Sequence, residues 1–166
     1  DEKTNCKCNA GFTGSDGGTC TACEAGKFKV AEGPGGCSNC VSGKYSSTVG
    51  ATGDWTCSMC PSASISPAGS SSSSDCVCRS GYYKYSNTCA QCPQGKYKQD
   101  EGSEPCADCP AHSSSPPGSI LSTACLCVPG YSSDGQSCTA CKEGKYKMSK
   151  GTEPCKACEE GKFKNS

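Results

Sequence analysis

Cysteine spacing constrains this chain more than any other feature. Between Cys92 and Cys138, six cysteines are separated by 13, 2, 15, 1 and 10 residues. The stretch opens CPQGKYKQDEGSEPCADCP, runs through a Ser/Pro loop and closes CLCVPGYSSDGQSC. The rest of the chain repeats this unit wholly or in part, which is how repeat architectures announce themselves. Cys40 to Cys89 is a second complete unit of six cysteines. Cys6 to Cys20 matches a closing half: Cys-x-Cys, then Gly-aromatic, then a further cysteine. Cys23 to Cys37 is one extra loop, and Cys141 begins another opening half.

Twenty of the 166 residues are cysteine, above the level of roughly 8–10 % that marks a disulfide scaffold. Hydrophobic residues reach 33 % only because cysteine is counted among them. Without it about a fifth of the chain is apolar, too little for an ordinary core of this length. Covalent links must replace that core, and disulfides persist in oxidising compartments, so an extracellular or cell-surface location is expected. No apolar run approaches the length of about 20 residues that spans a bilayer, so no membrane is expected within this segment. The 16 basic residues balance 16 acidic ones, which argues against nucleic acid or an anionic membrane as partner.

The glycine and proline load interrupts every candidate helix. GKFK, GKYS, GKYK and YYKY alternate polar and aromatic residues and read as short strands. The expected fold is a small disulfide-rich one: tandem modules with short β-hairpins, an extended arrangement and almost no helix. Each unit buries little beyond its disulfides and an aromatic such as Tyr97 or Tyr146. In Lys27-Phe28-Lys29 the two lysines share one side of a strand. Glu24, Glu32, Asp100, Glu101 and Glu143 offset such lysines, so a solvated face is expected rather than a basic binding stripe.

Two Ser/Pro-rich loops, residues 61–74 and 110–123, occupy the same place in successive units. Their composition suits O-linked sugar, with Ser66, Ser70, Ser71, Ser72, Ser73, Ser114 and Ser115 as candidate acceptors. Asn87-Thr88-Cys89 is only a weak variant of the N-linked acceptor. Four-cysteine zinc sites are sterically permissible from Cys106/Cys109 with Cys89/Cys92, or Cys20/Cys23 with Cys37/Cys40. The three Cys-x-Cys doublets speak against them, because zinc has no need of that spacing, so no metal or other cofactor is expected. Asp16, Asp54 and Asp134 lie near glycines without the dense ligand pattern of a calcium loop. No catalytic residues are expected and the chain is not read as an enzyme. His112, the one histidine, sits in a Ser/Pro loop with no orienting acid beside it, and Glu159-Glu160 reads as solvated surface.

CPQGKYKQDEGSEPCADCP, together with CVCRSGYYK at Cys76 to Lys84, resembles the cysteine-rich, EGF-like repeat of ephrin receptors, which recurs in large extracellular proteins including protist and algal surface proteins. CPQGKY is also similar to the start of a tumour necrosis factor receptor module. The EGF-like resemblance implies a crossed pairing, first cysteine to third, second to fourth and fifth to sixth. Carried onto this chain, that gives Cys40–Cys60, Cys57–Cys76 and Cys78–Cys89, then Cys92–Cys109, Cys106–Cys125 and Cys127–Cys138. Cys141–Cys158 follows the same rule, Cys23–Cys37 closes the extra loop and Cys8–Cys20 the opening tail. A ladder of nearest neighbours, such as Cys92–Cys106 and Cys109–Cys125, stays open as the alternative, since spacing does not settle connectivity.

The implied modules are residues 1–22 (a closing half), 23–39 (a single loop), 40–91 and 92–140 (complete EGF-like modules), and 141–166 (an opening half completed by a following copy). The crossed pattern leaves Cys6 and Cys155 over; the ladder leaves Cys6 and Cys158. Joining Ser166 to Asp1 of another copy places 13 residues between Cys158 and the next Cys6, as between Cys92 and Cys106. The expected function is therefore structural: one period of a disulfide-stapled extracellular fibre, with copies of itself head to tail as partners through Cys155 and Cys6, and with O-linked carbohydrate. The alternative is the stalk or ligand-binding region of a cell-surface receptor, for which Trp55 and Ile65 are the candidate apolar contacts and Trp55 is expected to pack within its own loop.

Overall fold

The computed structural model describes residues 6–160. Nine two-stranded antiparallel hairpins follow one another along them. They are β1–β2 (Phe12–Thr13, Thr21–Ala22), β3–β4 (Lys27–Phe28, Ser38–Asn39), β5–β6 (Lys44–Tyr45, Ser58–Met59) and β7–β8 (Ser64–Ile65, Val77–Cys78). Then come β9–β10 (Tyr82–Tyr85, Thr88–Gln91), β11–β12 (Lys96–Tyr97, Ala107–Asp108) and β13–β14 (Ser113–Ser114, Leu126–Cys127). The last two are β15–β16 (Tyr131–Ser133, Cys138–Ala140) and β17–β18 (Lys145–Tyr146, Lys156–Ala157). Helix among the described residues is confined to single 3-10 turns at Asp54–Thr56, Ser73–Asp75 and Ser122–Ala124.

One local rule makes every hairpin. A cysteine stands four residues before the first strand, and the intervening residues form a tight turn. The first strand residue donates its N–H to the carbonyl of the residue after that cysteine, at 3.0–3.1 Å in all nine cases. A type II turn of this kind needs positive φ at its third residue. That residue is Gly11, Gly26, Gly43, Ala63, Gly81, Gly95, His112, Gly130 or Gly144, with φ between 59° and 84°. Only Ala63 and His112 accept this conformation with a side chain, where a Cβ meets steric cost.

The turn folds the first cysteine back against the start of the second strand. There it meets the second cysteine of the same hairpin, with Cα–Cα distances of 5.5–5.8 Å, the usual disulfide range. The bonds are Cys8–Cys20, Cys23–Cys37, Cys40–Cys57, Cys60–Cys76, Cys92–Cys106, Cys109–Cys125, Cys127–Cys138 and Cys141–Cys155. Cys78 and Cys89 are disulfide-bonded as well. The pattern is the nearest-neighbour ladder, which corrects the crossed expectations Cys40–Cys60, Cys57–Cys76, Cys92–Cys109, Cys106–Cys125 and Cys141–Cys158. The reason is register. Pairing Lys96 with Asp108 and Tyr97 with Ala107 brings Cys106 to Cys92, while Cys109 has already passed into the next turn.

Successive hairpins are sewn together through the turn residue. Its N–H donates to a carbonyl of the following hairpin: Gly11 to Lys29, Gly26 to Ser46, Gly43 to Ser66, Gly81 to Lys98, Gly95 to Ser115 and Gly130 to Lys147, at 2.7–2.9 Å. The next-but-one hairpin also arrives close. A Cβ on Gly26 would stand 2.1 Å from the Gly69 carbonyl oxygen. The buried core is made mostly of first cysteines, with Cys8, Cys23, Cys40, Cys78, Cys92 and Cys127 all at or below 2 % exposure, joined by Ala51, Cys57 and Cys106. The hairpins group into two compact units, Asp1–Cys78 and Arg79–Ser166. The hairpin at 82–91 is stitched forward, the Gly81 N–H donating to the Lys98 carbonyl.

Candidate functional site

The spine position, three residues after the turn residue, is where sequence and structure differ most. In six of the nine hairpins it is buried, as Lys29, Ser46, Ser66, Lys98, Ser115 and Lys147; in the other three it is Gly14, Lys84 and Ser133, which are not buried. Lys29 donates its Nζ to the carbonyls of Phe12 (2.7 Å) and Gly33. Lys98 donates to Tyr82 (3.1 Å) and Gly102 (2.7 Å), and Lys147 donates to Gly151. The expectation of one solvated lysine face is thereby corrected. Lys29 lies just past the two-residue strand, where the preceding hairpin and its own loop close over it. Lys27 and Lys96 remain at the surface, paired with Glu24 at 2.8 Å and Asp108 at 2.7 Å. The signal available in the sequence was KVAEG, KQDEG and KMSKG, a lysine with a glycine four residues on, whose carbonyl it binds.

Burial holds the Lys98 ammonium below its ordinary pKa, opposed by the charges of Glu104, Asp100 and Glu101. Lys27 holds the exposed Glu24 carboxyl below its usual range, first by hydrogen bond and then by charge.

The candidate sugar acceptors divide. Ser66, Ser70 and Ser115 are buried, and their hydroxyls donate to the carbonyls of Lys44 (3.0 Å), Pro67 (2.8 Å) and Lys96 (2.8 Å). Those three are corrected: the Ser66 and Ser115 hydroxyls tie their loops to the preceding hairpin, and that of Ser70 closes its own loop. Ser72 caps the short turn at Ser73–Asp75, its hydroxyl accepting from the Ser74 N–H, and Ser114 lies half-buried in β13. Ser71 and Ser73 are exposed.

The eight cysteines of the zinc alternative are all spent in disulfides. No group of three or more His, Cys, Asp or Glu able to hold a metal occurs among the described residues. Asp134 is held at about 2 by the Ser137 amide, then the Gln136 amide and the Ser137 hydroxyl, so its oxygens serve its own turn. Asp54 opens the 3-10 turn at Asp54–Thr56, and Asp16 is exposed. His112 has its role in the turn, and its ring stacks on Tyr131 with centroids 4.0 Å apart. Trp55 lies over Gly53, where a Cβ would approach its ring to 1.9 Å, yet it is 73 % exposed. Ile65 is half-buried in β7, and Glu159 and Glu160 are exposed.

Two cysteines carry free thiols, Cys6 and Cys158. Cys155, expected to reach another copy, is instead bonded to Cys141. Cys158 donates its N–H to the Gly144 carbonyl, as Cys109 does to Gly95, so it stands as the first cysteine of a rung. Cys6 precedes Cys8 as Cys125 precedes Cys127, so it stands as the second.

Comparison with known proteins agrees with this module architecture. No family model matches the chain. It is 37 % identical over 92 residues to the sushi, von Willebrand factor type A, EGF and pentraxin domain-containing protein 1 of Mus musculus, covering 53 % of this chain and 2 % of that protein. The Rattus norvegicus counterpart is 35 % identical over 92 residues, with the same coverage. Ephrin type-B receptor 4a of Danio rerio is 34 % identical over 91 residues, covering 54 % of this chain and 7 % of the receptor. The chain thus spans a small part of the length of the curated relatives it matches. It is made of tandem cysteine-rich modules of the EGF-like, ephrin-receptor-like type, and it is extracellular or at a cell surface. No helix among the described residues is long and apolar enough to cross a membrane. The repeat resembles non-enzymatic extracellular modules, although its pairing is the ladder rather than the crossed order.

Proposed function

We propose that this segment is a non-catalytic structural spacer, a repeating stretch of an extracellular filament in which the disulfide ladder runs on from one copy to the next. The observation that carries it is the complementarity of the two free thiols: Cys158 is placed as the first half of a rung and Cys6 as the second. Because Cys155 is bonded to Cys141, Cys158 takes its place in this reading as the cysteine that would meet Cys6 of another copy. Heterologous contacts that do not close generate open filaments. Peptide mapping of native material without reduction tests it. The expected product is one linked pair containing Cys158 and Cys6; either thiol recovered free, or bonded to an unrelated sequence, would sink it.

A second reading, the stalk of a cell-surface receptor, is favoured by the similarity to the ephrin receptor. Electron microscopy of native material separates the two, showing continuous filaments for the first and discrete particles for the second.

A further inference from the structure

Within the unit Arg79–Ser166 the hairpins meet at two cysteine spacings. At three of the four junctions, two residues separate the second cysteine of one hairpin from the first cysteine of the next. There the first cysteine donates its N–H to the carbonyl of the preceding turn glycine: Cys92 to Gly81, Cys109 to Gly95 and Cys141 to Gly130, at 2.8–2.9 Å. The same glycine donates its own N–H to a spine carbonyl of the following hairpin, that of Lys98, Ser115 or Lys147, at 2.8–2.9 Å. Those three spine residues are buried.

The junction from β13–β14 to β15–β16 differs. Only Leu126 separates Cys125 from Cys127. The third residue after the second cysteine still donates to the turn carbonyl, but it is now Val128, bonded to His112 at 2.9 Å. Cys127 comes one position early, so the hairpin that follows is out of phase with the pattern of the other junctions. In extended backbone a shift of one residue turns side chains to the opposite face. Among the described residues, the His112 N–H makes no bond to the following hairpin. Ser133, the spine residue there, is exposed, and the Gly135 N–H is used on the Ser133 hydroxyl of its own hairpin. What crosses the junction instead is a ring contact, the His112 imidazole stacked on Tyr131 with centroids 4.0 Å apart and planes 9° from parallel. A hollow of about 570 Å³ is lined from both hairpins, by Ser113 and Cys125 on one and Ser133 and Ser137 on the other.

The other doublets agree. The unburied spine positions Gly14, Lys84 and Ser133 all belong to hairpins that begin at the second cysteine of a Cys-x-Cys pair. The boundary between the two compact units falls directly after one such pair, at Cys78 and Arg79.

We propose that the Cys125-x-Cys127 junction is a hinge, about which β9 to β14 move as one body and β15 to β18 as another, with the His112–Tyr131 stack as the catch that limits the motion. Hinges are a few residues at element ends that absorb the backbone change, and segments with few contacts across them open most readily. The flanking disulfides leave the junction free to bend, because Cys109–Cys125 closes within one hairpin and Cys127–Cys138 within the next. The hinge belongs to the module itself and holds for a filament or a stalk alike.

The test is dipolar electron spin resonance on the full oxidised chain carrying Cys6→Ser and Cys158→Ser, with nitroxides attached to ketone-bearing amino acids at pairs of exposed positions. Glu101 with Lys150 spans the hinge; Glu101 with Pro117, and Gln136 with Lys150, each span one stitched junction. The hinge pair is expected to give a wider distance distribution than either control pair. His112→Gly removes the ring and keeps the turn, since glycine holds this place in seven of the nine hairpins; Tyr131→Leu removes the stack from the other side. Each should widen the hinge distribution about twofold and leave both controls unchanged. A hinge pair no wider than the controls would overturn the proposal. So would a distribution that neither variant widens, or controls that widen with it, which would make the ring pair a general support of the fold.

Discussion

Two kinds of joint connect the hairpins, and they solve the same problem with different side chains. At a lysine joint, Lys29 or Lys98 reaches the carbonyl of the first strand residue of the preceding hairpin, Phe12 or Tyr82. At a serine joint, Ser66 or Ser115 reaches the equivalent carbonyl, of Lys44 or Lys96. The acceptor is the same backbone group in the same register. A buried lysine follows the hairpins that begin at Cys8, Cys78 and Cys127, the second cysteines of the Cys-x-Cys doublets, and a buried serine follows those that begin at Cys23, Cys40 and Cys92. The lysine does more than the serine, because its ammonium also binds a carbonyl four residues on in its own loop. It is a brace between hairpins and a tie within one, at the cost of burying a charge. A chain with so little apolar surface thus uses buried polar stitches where a larger domain would use a hydrophobic core.

The largest contrast should come from removing the stitch. Lys98→Met leaves the Tyr82 and Gly102 carbonyls without their donor and is expected to lose about 2–4 kcal/mol, since hydrogen bonds to charged groups and unsatisfied buried acceptors are the expensive ones. Ser115→Ala, which frees one carbonyl, should lose about 1 kcal/mol. Denaturant unfolding of the oxidised chain measures both; equal losses would erase the distinction between the joints.

The turn glycines sharpen it next. Gly81 and Gly95 have φ of 78° and 82° and donate to the spine carbonyls of Lys98 and Ser115. A Cβ on Gly81 would lie 2.5 Å from the Gly118 carbonyl oxygen, whereas one on Gly95 meets nothing nearer than the Ser114 hydroxyl at 3.7 Å. Gly95→Ala should therefore show only the left-handed backbone cost of about 1–2 kcal/mol. Gly81→Ala should exceed it, by thermal unfolding of the two variants side by side.

A smaller effect is pH-dependent. Burial depresses the Lys98 pKa in the folded state, so between that lowered value and the ordinary 10.5 the unfolded chain binds the proton more. Stability from this group therefore rises as pH increases towards 10.5 and is lost as pH falls back through the folded pKa. Lys98→Met should flatten that part of the profile. Measuring it with Cys6→Ser and Cys158→Ser avoids thiolate attack on the ladder, which grows with pH.

The smallest perturbation is surface labelling. An amine-reactive reagent should modify Lys27, Lys96 and Lys145 in the folded protein and spare Lys29, Lys98 and Lys147, as read by mass spectrometry. Any O-linked sugar on native material should map to Ser71 or Ser73 and be absent from Ser66, Ser70 and Ser115. Modification of the spine residues in folded material would contradict their burial.

Read from the residues, the class of this protein was already in view. Cysteine density, the six-cysteine unit and the Gly-Lys-aromatic segments define a disulfide-rich chain of tandem short hairpins, because each of these features acts over a few residues. Turn chemistry and strand alternation need no partner from elsewhere in the chain. Connectivity was beyond reach of spacing, since Cys106 and Cys109 are three positions apart and either is near enough to Cys92 in an unfolded loop. The register of Lys96 with Asp108 chooses between them. The buried lysines and serines were hidden for a related reason. In the sequence Lys27 and Lys29 are two similar side chains on one side of a strand, and only the arrival of the neighbouring hairpin's carbonyls makes one of them a solvated ion and the other a structural brace. What depends on contacts between hairpins was decided by the tertiary structure, because the free energy of a buried charge or hydroxyl is set by the groups that surround it.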